Sequence, residues 1–347
     1  MSKLFGRWEA VLVGLIGVVL LAGWLMSPYF LQPINIGLAI GSESIPALMA
    51  VGLGWVVLTG EIDISVGSMV AMCSVTMGFL FEHGVPAAVC VLAAIAMGAV
   101  CGAFNALLVK IGISSLVATL GTLSLYSGLS YVFLGNGSYH DFPPWLISAG
   151  GGFVGRSDIP WTGVVFVVVS LGLAVFASLG RYGRKTYAVG DNPNVARYSG
   201  FSVMKMKTVV LMVSGAITGL AAVLYTGEVA NAQANNGSDL LLYVLTIVVL
   251  GGISFDGGSG SIFGIWLSGI LIALLQSLLA LKGMNQSQQD LAIGMLLLVS
   301  IGISKNGAAI IKLVSWRRER PLPKVVVVAG SGVQVAVLTD EGGGKGE

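Results

Sequence analysis

Apolar runs long enough to enter a lipid bilayer follow one another along almost the whole chain, and this constrains the fold more than any motif does. A hydrocarbon layer about 30 Å thick takes roughly 20 helical residues to cross. Inside it, every backbone N–H and C=O needs a partner within the chain, which leaves the α-helix as the natural spanning element. Runs of this kind lie near residues 11–26, 45–58, 65–81, 85–109, 114–134 and 161–179, and again near 208–226, 240–251, 261–281 and 291–303. That pattern predicts an all-α, polytopic transmembrane bundle of about ten spans. The runs ending at Leu58 and Gly251 are short, and residues 31–40 add an apolar piece that reads as re-entrant.

Composition agrees, with 55% hydrophobic residues against only 10% charged, where soluble domains carry roughly a quarter. The 50 glycines suit helices that pack in lipid, where small residues let backbones approach. Four G-x-x-x-G spacings, Gly37/Gly41, Gly98/Gly102, Gly215/Gly219 and Gly260/Gly264, predict close helix contacts within the chain. A net charge of +2 points to no nucleic-acid partner. Cys73, Cys90 and Cys101 show no C-x-x-C spacing and read as small core residues.

The placement of Lys and Arg predicts orientation. With ten crossings and Lys3 and Arg7 in the cytoplasm, Lys110, the group Arg181, Arg184, Lys185, Arg197, Lys205 and Lys207, and the C-terminal Lys305, Lys312, Arg317, Arg318 and Arg320 all fall inside. Arg156 and Lys282 fall outside. Both termini are expected in the cytoplasm. The first run reads as a retained signal anchor, since "SPYFLQ" after Met26 offers no small-residue cleavage site.

No G-x-x-x-x-G-K-[ST] occurs, so an ATP-binding P-loop is excluded. The serine, histidine and aspartate of "SYHD" at 138–141 are neighbours in sequence, which is no basis for a catalytic triad. The chain reads as a transport protein that is not itself an enzyme. Every Asp and Glu falls at a span end or in a connection, so the helix interiors are expected to be uncharged. An ion relay at mid-membrane is then not expected, and a neutral solute such as a sugar fits.

Residues 180–207 form a connection longer than turnaround requires. Within it "DNPNVARYSG" predicts a short helix with Asn192 as N-cap, Pro193 at the first position and Gly200 just past the end. Val195, Ala196 and Tyr198 give it an apolar side. Outside the membrane such a helix serves either as a docking element or as an interfacial helix on headgroups.

This segment resembles the cytoplasmic coupling loop of permease subunits of ATP-binding-cassette importers of the ribose, xylose and autoinducer-2 type. The pattern G-R-x-x-Y-A-x-G-x-N-x-x-A-A-x-x-S-G is met by Gly183, Arg184, Tyr187, Ala188, Gly190, Asn192, Ala196, Ser199 and Gly200, with Val195 in place of an alanine. "GEIDISVGS" at 60–68 is similar to that family's G-G-I-D-L-S-V-G-S, with Glu61 replacing the second glycine. "LVATLGTLSLYSGL" at 116–129 and the glycine-rich stretch 249–271 add two further matches. The resemblance implies a ten-helix permease domain, residues 1–315, that pairs with an identical or related subunit, and a cytoplasmic tail, 316–347. It further implies separate ATPase subunits that bind ATP and Mg, no cofactor on this chain, and an extracytoplasmic solute-binding protein. Arg184, Tyr187, Gly190, Asn192, Ala196, Arg197, Tyr198 and Gly200 are the expected ATPase-coupling residues. A branched-chain amino-acid permease of the same class is the nearest alternative, and an ion-coupled secondary transporter the more distant one.

Stretches 58–72 and 249–265 share a layout, in which an apolar run ends in glycine and a break holding isoleucine, serine and aspartate precedes the next run. Broken helices at membrane depth face protein or a wet cavity. Asp63, Ser65, Ser68, Asp256 and Ser261 therefore either cap the helices that follow or line the solute path. The segment 135–160, with Tyr139, Phe142, Trp145 and Asp158, is the largest loop on the outer face, either a seat for a binding protein or a plain connection. In the tail, "KVVVVAGSGVQVAVLTDE" predicts a small hairpin.

Overall fold

The chain is described by a computed structural model over residues 7–135, 137–179, 181–315, 325–328 and 334–337, with the side chains of 7, 176–179, 181–182 and those from 303 onward outside the description. It divides into two compact units, one running to Ile301 and one starting at Gly302. In the first unit the helices are α1 (Arg7–Met26), α2 (Pro33–Leu58), α3 (Val66–Glu82), α4 (Ala87–Lys110), α5 (Ser115–Leu134), α6 (Pro144–Gly151), α7 (Trp161–Leu179), α8 (Arg181–Asp191), α9 (Pro193–Tyr198), α10 (Val203–Val229), α11 (Leu240–Leu250), α12 (Ile262–Leu281) and the start of α13 (Gln286–Ser315). The second unit contains an antiparallel hairpin, β1 (Val325–Val328) with β2 (Gln334–Val337), in which Val325 faces Val337. The "AGSG" turn expected between these strands lies outside the described residues.

Each of the ten apolar runs appears as a helix. Among the described residues, six are long and apolar enough to cross a membrane, namely those beginning at Trp8, Pro33, Ala87, Ser115, Val203 and Ile262. Residues 66–82, 161–175 and 240–250 form shorter apolar helices. At about 1.5 Å per residue, α11 reaches only about half of a 30 Å hydrocarbon layer.

α2 is the axis of the first unit, buried along most of its length and packed against α7, α10, α11 and α12. α1, α4 and α5 lie at the periphery and expose rows of apolar side chains such as Leu92, Val100, Leu120 and Val132. One expectation is corrected here, because residues 31–40 are not a separate re-entrant piece. They belong to the same continuous helix as Ile45–Leu58, with Pro33 at its first turn and Pro46 inside it. Pro46 lacks an N–H, which removes the helical donor of the Ser42 carbonyl; in the turns just before it, Thr162 Oγ1 donates to the Gly41 carbonyl at 3.0 Å and Ser44 Oγ to that of Ile40 at 2.5 Å. A second correction follows from the first. Glu43 sits in the interior of α2 and is buried, so the helix interiors are not free of charge-bearing groups.

The glycine spacings act within the chain. A Cβ on Gly98 would run into the carbonyl oxygen of Gly215, and one on Gly215 into that of Gly98; Gly102 meets Leu211 and Gly219 meets Ala94 in the same way. α4 and α10 thus touch backbone to backbone. The pair Gly260/Gly264 is a correction, since Gly260 precedes α12 and only Gly264 is helical. The segment 137–160 is built rather than loose: α6 lies on the end of α10, Phe142 is buried on Phe81, and Tyr139 bridges to Ala232, leaving Trp145 and Asp158 exposed.

Gly98→Ala is expected to force α4 and α10 apart and lower stability by about 1–3 kcal/mol, read as a fall in the thermal unfolding midpoint of the detergent-solubilised protein. Gly17→Ala, with open space around it, is expected to leave the midpoint where it was.

Candidate coupling site and polar cavities

The break between α2 and α3 starts from a helix that runs out of residues able to continue it. Thr59 closes α2 with its N–H on the Val56 carbonyl, and Gly60 turns the chain at φ +78°. Glu61, which stands where the resembled pattern has glycine, adopts no left-handed backbone, so the replacement strains nothing. Its carboxylate instead pairs with Lys207 at the start of α10, and both groups are largely buried. Ile62 N–H donates to Ser115 Oγ at 3.1 Å, which ties the break to the first turn of α5.

Asp63 is buried, and a carboxylate there needs donors to offset the water it has lost. Ser65 supplies two, its N–H at 2.9 Å and its hydroxyl at 2.6 Å to Oδ1, and Asn105 Nδ2 supplies a third at 3.1 Å to Oδ2. Asn105 also donates to Ser65 Oγ at 2.9 Å and accepts from the Tyr126 hydroxyl at 3.0 Å. Ser65 is the N-cap residue of α3, but its side chain bonds Asp63 and not the helix end. Asp63 holds the turn that starts α3. Asn105 and Tyr126 were missed from the sequence, where the signal was a lone amide in the apolar run "GAFNALL".

The second break, 251–261, differs chemically from the first. Ser261 caps α12 by accepting from the N–H groups of Phe263 and Gly264, at 3.2 and 3.4 Å, while Asp256 is exposed. The shared layout therefore holds for the backbone but not for the aspartates. The two breaks meet, with Gly258 N–H donating to the Leu58 carbonyl at 3.0 Å.

The segment 180–207 is mostly helical, a correction to the expectation of a loop carrying one short helix. α8 runs to Asp191, and Asn192 then caps α9 by accepting from Asn194 and Val195 N–H, both at 3.1 Å. Pro193 occupies the first helical position, and Gly200 turns the chain at φ +81°. Only Ala196 of the expected apolar side faces the body; Val195 and Tyr198 are exposed, as are Arg184 and Arg197. Gly190 enters the junction of the two breaks, where a Cβ would collide with the Leu58 carbonyl and Gly258 N–H. Tyr187 is turned inward and donates to the Gly260 carbonyl at 3.1 Å, and burial pushes its hydroxyl pKa up, which keeps it a donor. Of the expected coupling residues, Tyr187, Gly190 and Ala196 thus bind the segment to the bundle, whereas Arg184, Arg197 and Tyr198 face away from it.

Ser68 lies in the first turn of α3 and lines a cavity of about 210 Å³ with Ser127, Tyr131, Asn235, Asn236 and Ser238. The wall comes from α3, α5 and the irregular stretch 231–239, which Asn236 pins by donating to Ser74 Oγ at 2.9 Å. A second cavity of about 480 Å³ lies at the opposite ends of α2, α10 and α12 from the junction, walled by polar groups of Asn35, Ser42, Glu228, Gln276, Ser277 and Gln289 among others. In the segment 137–160 the Ser138 hydroxyl and His140 Nε2 lie 2.5 Å apart.

The family described as branched-chain amino acid transport system / permease component matches residues 35–301. The chain belongs to this family. Among its relatives, the autoinducer 2 import system permease protein LsrD of Klebsiella pneumoniae is 33% identical over 325 residues, covering 91% of this chain and 97% of that protein. The namesake from an Enterobacter species is 33% identical, covering 86% and 93%, and that from Escherichia coli O9:H4 is 30% identical, covering 91% and 98%.

In this permease, Asn105→Leu is expected to leave Asp63 short of a donor and to destabilise by about 1–3 kcal/mol, again read in the thermal midpoint. Asn105→Asp would set a second acid against Asp63 and is expected to cost more.

Proposed function

We propose that the permease is the membrane subunit of an ATP-binding-cassette importer for a small, neutral, hydroxyl-rich solute, and that 180–207 is the segment on which the ATPase subunits act. One observation carries the reading. The Gly190 backbone is wedged against the ends of α2 and of the 251–261 break, so a push on α9 reaches both broken helices through backbone contacts with no flexible side chain between. Tyr187 and the Glu61–Lys207 pair stiffen the same joint. Val195, Arg197 and Tyr198 offer an exposed apolar and basic face to a partner.

Ten spans with both termini in the cytoplasm follow if α1, α2, α3, α4, α5, α7, α10, α11, α12 and α13 each cross. The ends bearing Lys110, Arg184, Arg197, Lys205 and Lys207 then share one face, and Arg156 and Lys282 the other, as the bias of basic residues toward the cytoplasm requires. The bacterial inner membrane is the fitting location. ATP and Mg reside in the ATPases, and this chain binds neither. A second permease subunit completes the membrane part, and an extracytoplasmic binding protein delivers the solute, with Trp145 and Asp158 exposed on the face that would receive it. Residues 1–315 form the permease domain and 316–347 a cytoplasmic tail.

The cargo reading rests on wall chemistry. The cavity beside Ser68 offers hydroxyls and amides without a charged side chain, which suits a sugar-like molecule. An amino acid would bring an ammonium and a carboxylate with nothing to pair them. The relatives named for autoinducer 2 import agree with a sugar-like solute, while the family's descriptive name keeps a branched-chain amino acid as the second reading.

In the reconstituted complex, Gly190→Val is expected to lower ATP-driven uptake at least tenfold while ATP hydrolysis continues. A cysteine placed at Tyr198 is expected to cross-link to an ATPase subunit and to react with a membrane-impermeant maleimide only in inverted vesicles. Labelling of that cysteine from outside the cell would overturn the proposal.

A further inference from the structure

Two lysines at the start of α10 have different surroundings. Lys207 is paired with Glu61 inside the chain. Lys205 is exposed and, with Lys185 of α8, lines a cavity of about 270 Å³ between the two helices. No Asp or Glu lines this space. The Lys185 ammonium stands 5.3 Å from the centre of the Phe201 ring, a cation–π distance that holds one charge over an apolar part of the wall. Ser202, also on the wall, is the N-cap residue of α10 but makes no side-chain bond to the helix end. The cavity therefore opens beside the positive end of a 27-residue helix.

Two ammonium groups and no acid select an anion over a cation or a neutral molecule. The rest of the wall is hydrocarbon, from Val189, Phe201, Met206 and Val209. A free inorganic anion would lose water against these side chains without gaining a partner, whereas an anion that carries its own hydrocarbon uses both parts of the wall. α10 is long and apolar enough to cross a membrane. Lys205, Val209 and Met212 follow one another at i, i+4 and i+7, which puts them on one helix face, and all three are exposed. An acyl chain laid along Val209 and Met212 would bring its phosphate to Lys205, with the lysine stem packed beside it. A volume of about 270 Å³ falls below the roughly 300–1,000 Å³ of sites that enclose a whole ligand, and suits a headgroup whose chains stay outside.

We propose that the cavity between α8 and the start of α10 binds the phosphodiester headgroup of an anionic membrane lipid of the phosphatidylglycerol class, held by Lys185 and Lys205. The lipid thereby ties α8, at the root of the coupling segment, to a membrane-spanning helix. The site depends on α10 lying in a bilayer and on no ATPase.

Photo-cross-linking tests this. The full-length permease, in nanodiscs of phosphatidylcholine, is irradiated with a phosphatidylglycerol that carries a photoactivatable group high in one acyl chain, and the labelled peptides are identified by mass spectrometry. Label is expected within residues 201–212. Lys205→Gln is expected to lower it about fivefold, the factor that one basic residue contributes at an anionic surface, and Lys205→Arg to retain it. Lys185→Gln, the second variant should the first not fold, is expected to act as Lys205→Gln does. Lys110→Gln, outside the cavity, is expected to change nothing. Unlabelled phosphatidylglycerol is expected to compete and inorganic phosphate not to. Label spread evenly over the spans, full labelling of both glutamine variants, or an equal loss in Lys110→Gln would each overturn the proposal. Competition by inorganic phosphate would assign the cavity to a soluble anion instead, and loss of label on adding the ATPase subunits would assign it to a protein contact; either result also defeats the lipid site. Because the labelling itself needs no ATP, ATPase or solute, its failure leaves the coupling reading standing. Loss of the ATPase cross-link at Tyr198 would in turn leave this site untouched.

Discussion

A peptide group that leaves the helix inside an apolar bundle needs a partner, because there is no water to supply one. That constraint governs the two breaks of this permease, and through them the rest of the fold. At the first break, Ser115 takes the Ile62 N–H and Asp63 takes that of Ser65. At the second, Gly258 donates to the carbonyl that ends α2, and Tyr187 donates to Gly260. All but the local Ser65–Asp63 bond reach across to another element, and Asn105 of α4 joins that turn through Asp63. The breaks are consequently stitched to α4, α5, α8 and to one another, and none of these can shift without disturbing the others.

The same stitching supports the proposal that a push on 180–207 drives the bundle. A motion transmitted through exposed side chains would be lost in rotamer changes. Here the contacts at Gly190 are backbone on backbone, and the Glu61–Lys207 pair locks the start of α10 to the first break. Under the proposed function such a joint would pass displacement to the ends of α2 and α12, helices that run to the cavity of about 480 Å³ at their other ends. Packing of this kind switches between discrete arrangements rather than deforming smoothly, as alternating access requires.

Close approach of α4 to α10 serves a related purpose. Gly98, Gly102, Gly215 and Gly219 remove the side chains between two backbones, giving α10 a firm bed along which the junction and α6 are both mounted. The stretch 231–239 hangs from the end of α10 and is held at depth by the bond from Asn236 to Ser74. Irregular backbone there is tolerated because it is enclosed by protein and lines a polar cavity.

Much of this could be read along the chain. The ten apolar runs became helices because periodicity and length act locally, and Asn192, Pro193 and Gly200 fixed α9 because caps are set by a few adjacent residues. Other features had no local signal. "GSES" fell between two expected apolar pieces, yet it is one turn inside α2, a helix that runs on through Pro46. Asp63 and Asp256 looked equivalent, but Asn105 buries one while the other stays exposed. Tyr187, expected at a partner contact, donates inward to the Gly260 carbonyl, a bond with no local signal. The sequence by itself determined the helices and the membrane class, because both follow from hydropathy and short-range capping. Only the tertiary structure decided which polar groups meet, because hydrogen bonds between residues forty or more positions apart depend on how the helices are brought together in space.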